Sequence, residues 1–324
     1  MTSYGEAGVD LDAADRHTTS IAPSVTATWK EEVIGGFGGF AAGVPVPAGY
    51  DEPILMMSTD GVGTKIEIAR ATGRWSGIGF DLVAMCVDDL AAAGARPIGF
   101  VDYLAVGSLD ANRDAAIVES VASACLEAGC PLLGGETAEH PGVMAPDAVD
   151  LAGAVVGVVE RDDVLSPEKV REGDLVVGLI SPNLRSNGFS LVRSVFGEEV
   201  IENADTFLEP SVIYSPAVLE AVSTGHVRAG AHVTGGGLAV NLARALPEGL
   251  GATLETSAWG RPAVFGDIAE RGVAEDEMRR TFNLGIGFCL VTDPVGVDSV
   301  LVATAKHDPR VIGAVGPGSG VDLK

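Results

Sequence analysis

Apolar residues fall in short runs at 53–58, 98–106, 131–133 and 151–159. Runs of this length, bounded by Gly, Pro or Asp, predict buried strands. Between them the spacing changes. Residues 79–93 place apolar side chains at 80, 83, 84, 87, 90 and 91, and residues 111–128 place them at 118, 121, 122, 125 and 126. Steps of three and four predict amphipathic helices. A polar stretch at 160–173 interrupts the pattern, and its Ser166-Pro167-Glu168 predicts a helix start. Beyond it, strands are expected at 174–180, 286–291 and 310–315. Strands alternate with helices in both halves, which predicts an α/β fold of two domains, 1–161 and 162–324, divided near Arg161. Residues 1–30 hold few core-like runs and are expected to form an arm or lid. The run Gly35-Gly36-Phe37-Gly38-Gly39-Phe40 is too rich in glycine for a helix interior or a stable strand.

Size supports two domains. The chain has 324 residues, 47% of them hydrophobic, and a single core stops growing at roughly 250–300 residues. Charge changes the picture more. With 21 basic and 45 acidic residues the net charge is −24. Such a surface repels nucleic-acid backbone and anionic lipid, so neither is an expected partner. A phosphorylated substrate then needs a local cation. No basic segment followed by an apolar stretch opens the sequence, and no window of about 18 apolar residues occurs, so a cytoplasmic protein is expected. The four cysteines form no Cys-x-x-Cys pair and read as small buried hydrophobes.

Candidate chemistry begins at the end of the first apolar run. Ser58-Thr59-Asp60-Gly61-Val62-Gly63-Thr64-Lys65 places a carboxylate, two glycines, a hydroxyl and an ammonium close together. The helix at 79–93 adds Asp81, Asp88 and Asp89. Together these residue types supply hard oxygen ligands for Mg²⁺ and a backbone and cation for polyphosphate. Read singly, the first is a polar turn and the second a wet helix face. Asp81 and Asp88, seven apart, share one helix face, and Asp89 lies about 100° away. Asp89, beside Leu90 and Ala91, is the acid expected to turn inward. The 58–65 segment is not a Walker loop. Residues 36–41 fit a dinucleotide-binding glycine pattern only formally, since no strand leads into them. Gly35, Gly36, Gly38 and Gly39 either close over a phosphate chain or form a mobile loop.

Three further residues stand where α/β folds place ligands, near the carboxyl ends of strands. Glu136 follows Pro131-Leu132-Leu133, Asn187 follows the strand at 174–180, and His232 precedes Thr234-Gly235-Gly236-Gly237, a backbone suited to an anion. Plainer readings are a helix start for Glu136, an Asn-Gly turn for Asn187 and a structural imidazole for His232.

At this level of detail the chain resembles the phosphoribosylformylglycinamidine cyclo-ligase (aminoimidazole ribonucleotide synthetase) family. The motifs run from Ala7-Gly8-Val9-Asp10 through 35–40, 58–65, 81–90, Gly134-Gly135-Glu136-Thr137-Ala138-Glu139, Ser186-Asn187-Gly188-Phe189-Ser190-Leu191 with Arg193, and His232–Leu238 with Asn241, to Arg280-Thr281-Phe282-Asn283. Several are shared with selenophosphate synthetase, thiamine-monophosphate kinase and the formylglycinamidine amidotransferase. The resemblance implies two α/β domains, with N-terminal sheets of two subunits paired in a dimeric barrel. It implies ATP-dependent closure of formylglycinamidine ribonucleotide to aminoimidazole ribonucleotide. It assigns Asp60 and Asp89 to metal and ATP phosphates, and Gly61, Thr64 and Lys65 to phosphate, with Lys65 as the neutralising cation. Gly35, Gly36, Gly38 and Gly39 become a loop over ATP. Glu136, Asn187 and His232 become substrate-binding or proton-transfer residues. The implied cofactors are ATP and Mg²⁺ and the implied assembly is a homodimer.

Three positions depart from the family's usual pattern. Arg185 stands where His is usual, Asp88 stands where Asn is usual, and residues 18–29 hold no lysine. An acidic protein with a ribose-phosphate substrate needs a cation, so Arg185 is expected to contact phosphate. Two other readings stay open: a different ATP-using member of the superfamily, such as a small-molecule kinase, and a non-catalytic nucleotide-binding paralogue.

Overall fold

The computed structural model describes residues 11–324; the motif at 7–10 lies outside the described residues. Helix α1 (Leu11–Ala27) leads into the glycine-rich loop, and strand β1 (Pro53–Gly61) follows. A short turn and α2 (Ile66–Thr72) precede α3 (Ile78–Ala92), β2 (Arg96–Val106) and α4 (Ala111–Ala128). Strands β3 (Leu132–Glu139) and β4 (Val149–Glu160) complete a four-stranded mixed sheet of order β1-β4-β2-β3. The second sheet has six strands in the order β10-β7-β9-β5-β8-β6. They are β5 (Leu175–Ile180), β6 (Val227–His232), β7 (Leu250–Leu254), β8 (Ile286–Thr292), β9 (Arg310–Pro317) and β10 (Gly320–Leu323). Helix α5 (Phe189–Phe196) follows β5. The chain is thus α/β with two mixed sheets.

Helix α3 organises the molecule. Twelve of its fifteen residues are buried, because it packs on the first sheet with one side and on the second half of the chain with the other. Leu82 and Cys86 face β4: Cys86 Sγ lies 3.6 Å from the Gly153 carbonyl, and a Cβ at Gly153 would come within 3.1 Å of Leu82. On the opposite side, a Cβ at Gly230 of β6 would sit 2.9 Å from the Ala92 backbone. That glycine lets helix and strand approach closely.

The two halves share a core. Residues 184–213 and 264–284 pack into the same apolar cluster as α3 and α4. The other face of the first sheet is open. Leu55, Met57, Val101 and Tyr103 are exposed there, and the pairing register sets them opposite Val158, Val156, Ala154 and Ala152 of β4 in turn.

Several elements depart from the pattern reading. Ser166-Pro167-Glu168 opens only a single 3₁₀ turn, Pro167–Lys169. The expected arm is in part helix α1, despite Pro23 within it. Strand β3 runs to Glu139, so Glu136 lies inside an edge strand and not beyond its end. All four cysteines are buried and free. Among the described residues, no helix is long and apolar enough to cross a membrane.

Candidate active site

Where β1, the end of α3 and the end of β6 meet, a cleft of about 380 Å³ opens. Ser58, Asp89, Ser166, His232, Asn241 and Arg244 supply its polar lining. Asp89 is fixed on both oxygens: His232 Nδ1 lies 2.8 Å from Oδ1, and Ser58 Oγ donates to Oδ2 at 3.1 Å. Desolvation works to raise this carboxyl. The hydrogen bonds from His232 and Ser58, with the charge of Arg244, outweigh it and hold Asp89 below its ordinary value. Asp60 shifts the other way. Desolvation raises it, the Gly61 N–H at 2.7 Å opposes, and the negative charge of Asp89 raises it further. Asn187 is near this group: its Oδ1 would lie 3.7 Å from a Cβ at Gly235, in the turn that follows His232. That turn uses left-handed backbone at Gly236 (φ 97°) and Gly237 (φ 73°). Asn241 Nδ2 holds it by donating to the carbonyls of Thr234, Gly235 and Gly237. Thr64 Oγ1 lies 3.0 Å from Ser190 Oγ, tying the segment after β1 to α5.

Lys65 and Arg185 are placed otherwise than expected. The Lys65 ammonium is fully buried. Its Nζ donates to Asp81 Oδ1 at 2.8 Å, the Arg185 carbonyl at 3.1 Å and the Glu209 carbonyl at 2.8 Å. All three donors are used, so this lysine ties the two halves together and is withdrawn from the cleft. Arg185 is 1% exposed. It pairs with Asp88, with Nη2 2.6 Å from Oδ2, and so does not present its fork to a phosphate. The face shared by Asp81 and Asp88 is therefore the inward one, whereas Asp89 is the exposed acid. The sequence reading had this reversed. Apolar neighbours say nothing about orientation on a helix that is buried on two sides.

Glu136 and the glycine-rich loop form a second group. Gly36, Gly38 and Gly39 close one side of a cavity of about 780 Å³. Glu136, Thr137, Asp102 and Tyr103 from β2 and β3, and His17 of α1, line the rest. His17 Nε2 lies 3.2 Å from Thr137 Oγ1, and its Nδ1 is buried without a partner. Gly35 lets the loop fold back: a Cβ there would sit 2.4 Å from the Ala41 carbonyl oxygen. Within one chain, Glu136 is thus not gathered with Asp89 and His232.

Asp60 and Asp89 are the acids that could share a hard divalent cation. Among the described residues no three His, Cys, Asp or Glu side chains are grouped to hold an ion by themselves. Asp60 and Asp89 do sit close enough to repel, a strain that a cation would relieve. Mg²⁺ is held in this way, through one or two carboxylates with the remaining positions left to water and substrate phosphate. Sequence reasoning missed Ser58 as the partner of Asp89, and Arg244. Arg244 is the exposed guanidinium in the cleft, and no motif around it marks it in the sequence.

Known proteins match the chain along most of its length. The family model for the N-terminal domain of AIR synthase related proteins matches residues 41–159, and that for the C-terminal domain matches 171–324. A phosphoribosylformylglycinamidine cyclo-ligase from Sorangium cellulosum is 46% identical, covering 97% of this chain and 95% of the relative. One from a Synechococcus species is 44% identical over 96% and 95%. In fold, the chain resembles the thiamine-monophosphate kinase of Stenotrophomonas maltophilia, with TM-score 0.69 and 17% identity over 96% of this chain and 95% of that one. It also resembles the hydrogenase maturation protein HypE solved with ATP, with TM-score 0.68 and 20% identity over 90% and 84%. Likeness at that level concerns the fold alone. The matched domains span nearly the whole length in their family order, and full-length relatives above 40% identity carry one name; this chain belongs to the AIR synthase related family, among the phosphoribosylformylglycinamidine cyclo-ligases.

Proposed function

We propose that the chain catalyses ATP-dependent closure of formylglycinamidine ribonucleotide to aminoimidazole ribonucleotide, with ADP and phosphate as the other products. The observation that carries this reading is the 43–46% identity to cyclo-ligases along nearly the whole length. We place the protein in the cytoplasm as a Mg²⁺-dependent homodimer, with domains 1–161 and 162–324.

The chemistry asks more for positioning than for a covalent nucleophile. ATP activates the formamide oxygen, an internal nitrogen attacks that carbon, and phosphate leaves. Phosphoryl transfer is helped by fixed charge around the phosphates, and ring closure by holding nitrogen and carbon together. Asp60 and Asp89 would hold Mg²⁺, which when bound neutralises phosphate charge. Arg244 supplies the local cation that an acidic protein needs for a phosphorylated ligand. Asn187 and the turn at 234–237 orient substrate across the cleft. Gly35, Gly36, Gly38 and Gly39, with Gly61 and Thr64, approach the nucleotide through backbone and hydroxyl groups, and Glu136 faces substrate beneath the loop. The open face bearing Leu55, Met57, Val101 and Tyr103 is an apolar patch that a second copy would cover.

The test is a coupled assay of purified protein with Mg-ATP and formylglycinamidine ribonucleotide. Aminoimidazole and ADP should form together in equal amounts, whereas ADP without aminoimidazole would favour a kinase and overturn the reading. Asp60→Asn and Asp89→Asn should each lower turnover on the order of 10²-fold while the chain stays folded. Full turnover in either variant removes that residue from the metal site.

A further inference from the structure

Two of the departures from the family pattern, Asp88 and Arg185, touch each other. Both are fully buried, one on α3 and one in the loop after β5. Asp88 Oδ1 accepts from the backbone N–H groups of Tyr214 and Ser215 at 2.9 and 2.8 Å, and Oδ2 takes Arg185 Nη2 at 2.6 Å. Arg185 Nη2 also donates to the Val212 carbonyl at 3.0 Å, and the guanidinium lies 4.9 Å from the Tyr214 ring centre. The loop is built around this residue. Arg185 adopts a left-handed backbone, φ 59°, which costs a side-chain-bearing residue free energy and persists where the surroundings enforce it. Asn183 enforces it: its Oδ1 accepts the Arg185 N–H at 2.8 Å, and its Nδ2 donates to the Pro210 carbonyl.

The other arm of the guanidinium decides the chemistry next door. Nη1 lies 2.6 Å from His232 Nε2. Arginine has donors only, so Nε2 must offer its lone pair and the ring proton must sit on Nδ1. Nδ1 faces Asp89 Oδ1 at 2.8 Å. Every hydrogen bond in the chain Asp88–Arg185–His232–Asp89 then has one donor and one acceptor. Asp88 Oδ2, at 3.9 Å, is too far from Nε2 to accept from it.

We propose that Arg185, clamped by Asp88, is a positioning residue that fixes the tautomer of His232 and through it presents Asp89 to the cleft. His232 is then not a proton-transfer group, because both ring nitrogens are engaged and the cleft receives the Asp89 carboxylate. The pair acts as a unit. Asn in place of Asp88 alone would turn an N–H toward Arg185 and oppose donor to donor. His in place of Arg185 alone would leave Asp88 buried without its cation. The significance for turnover rests on the function proposed above, whereas the tautomer itself does not.

The experiment therefore starts without substrate. In ¹⁵N-labelled full-length protein, the His232 ring signals, assigned by their loss in His232→Gln, should show protonated Nδ1 and bare Nε2. A proton on Nε2 overturns the proposal. In Asp88→Asn and Arg185→His the fixed tautomer should be lost, and kcat for ring closure should fall on the order of 10-fold or more with a smaller change in KM. The Asp88→Asn/Arg185→His double variant, in which the amide can donate to an imidazole, should recover part of that loss. Independent, additive losses would refute the coupling. A correct tautomer in a protein that makes no aminoimidazole would overturn the function and leave this inference standing.

Discussion

Helix α3 carries two buried cation–carboxylate pairs, Lys65–Asp81 and Arg185–Asp88, two turns apart on one face. Both join the halves of the molecule, and in both the aspartate also accepts backbone N–H groups from the 211–215 segment. They differ in what the cation has left over. The Lys65 ammonium has three donors, and Asp81 and two carbonyls take them all. The Arg185 guanidinium has five, and after Asp88 and Val212 it still reaches His232. The first pair is closed on itself, and the second continues to the cleft. A buried ion pair joins a site when its cation has geometry to spare, and the planar fork of arginine provides that where a point-charge ammonium does not.

The comparison breaks most visibly at Lys65. Lys65→Met leaves Asp81 buried without a cation, and removing one partner of such a pair costs about 3–5 kcal/mol. Urea unfolding should show that loss, while kcat per folded molecule stays near wild type. A stable Lys65→Met protein with weakened ATP use would restore the role expected from sequence, that of a phosphate-neutralising lysine. Replacing both partners, Lys65→Met with Asp81→Leu, should recover stability only in part. The Ser211 N–H, now 3.0 Å from Asp81 Oδ1, would lose its acceptor at about 1–3 kcal/mol.

The same contrast shows what the sequence could disclose. Helices α3 and α4 and strands β1, β2, β4, β5, β8 and β9 follow from their apolar spacing to within a few residues. Asp60, Asp89 and His232 are near one another. Strand β6 escaped because Arg228, Gly230 and His232 interrupt its apolar character. Its burial comes from β8 on one side and α3 on the other, contacts remote in sequence. Helix α1, with its Thr, Ser and Pro23, has weak intrinsic propensity and is held by packing on α4. Which aspartate of 81, 88 and 89 faces solvent could not be read, since periodicity locates a face but not what covers it. The positions of Lys65 and Arg185 were hidden for the same reason: their partners lie 16 and 97 residues away.

A third acid sharpens the comparison by lacking what the other two have. Asp102 lies on β2 at the rim of the glycine-loop cavity, and no cation pairs with it among the described residues. It packs against Gly135, where a Cβ would fall 1.9 Å from its Oδ1. Desolvation, partly offset by a backbone hydrogen bond, pushes this carboxyl up to about 7. The unfolded chain would titrate it near its ordinary value of about 3.9. Between those values the native state holds a proton that the unfolded state has released, so the contribution of Asp102 to stability falls as pH rises from about 4 to about 7. Below this window both states are protonated and there is no cost; above it both are ionised and the penalty is constant. Asp102→Asn removes the titration. The stability of the wild type minus that of Asp102→Asn, measured by urea unfolding, should decline across pH 4 to 7 and level off beyond. Asp81→Asn should instead lose stability at neutral pH, because it leaves the Lys65 ammonium buried without its carboxylate. A flat wild-type difference for Asp102 would mean that a cation or water already compensates it. The missing cation would then not be what separates Asp102 from the acids of α3.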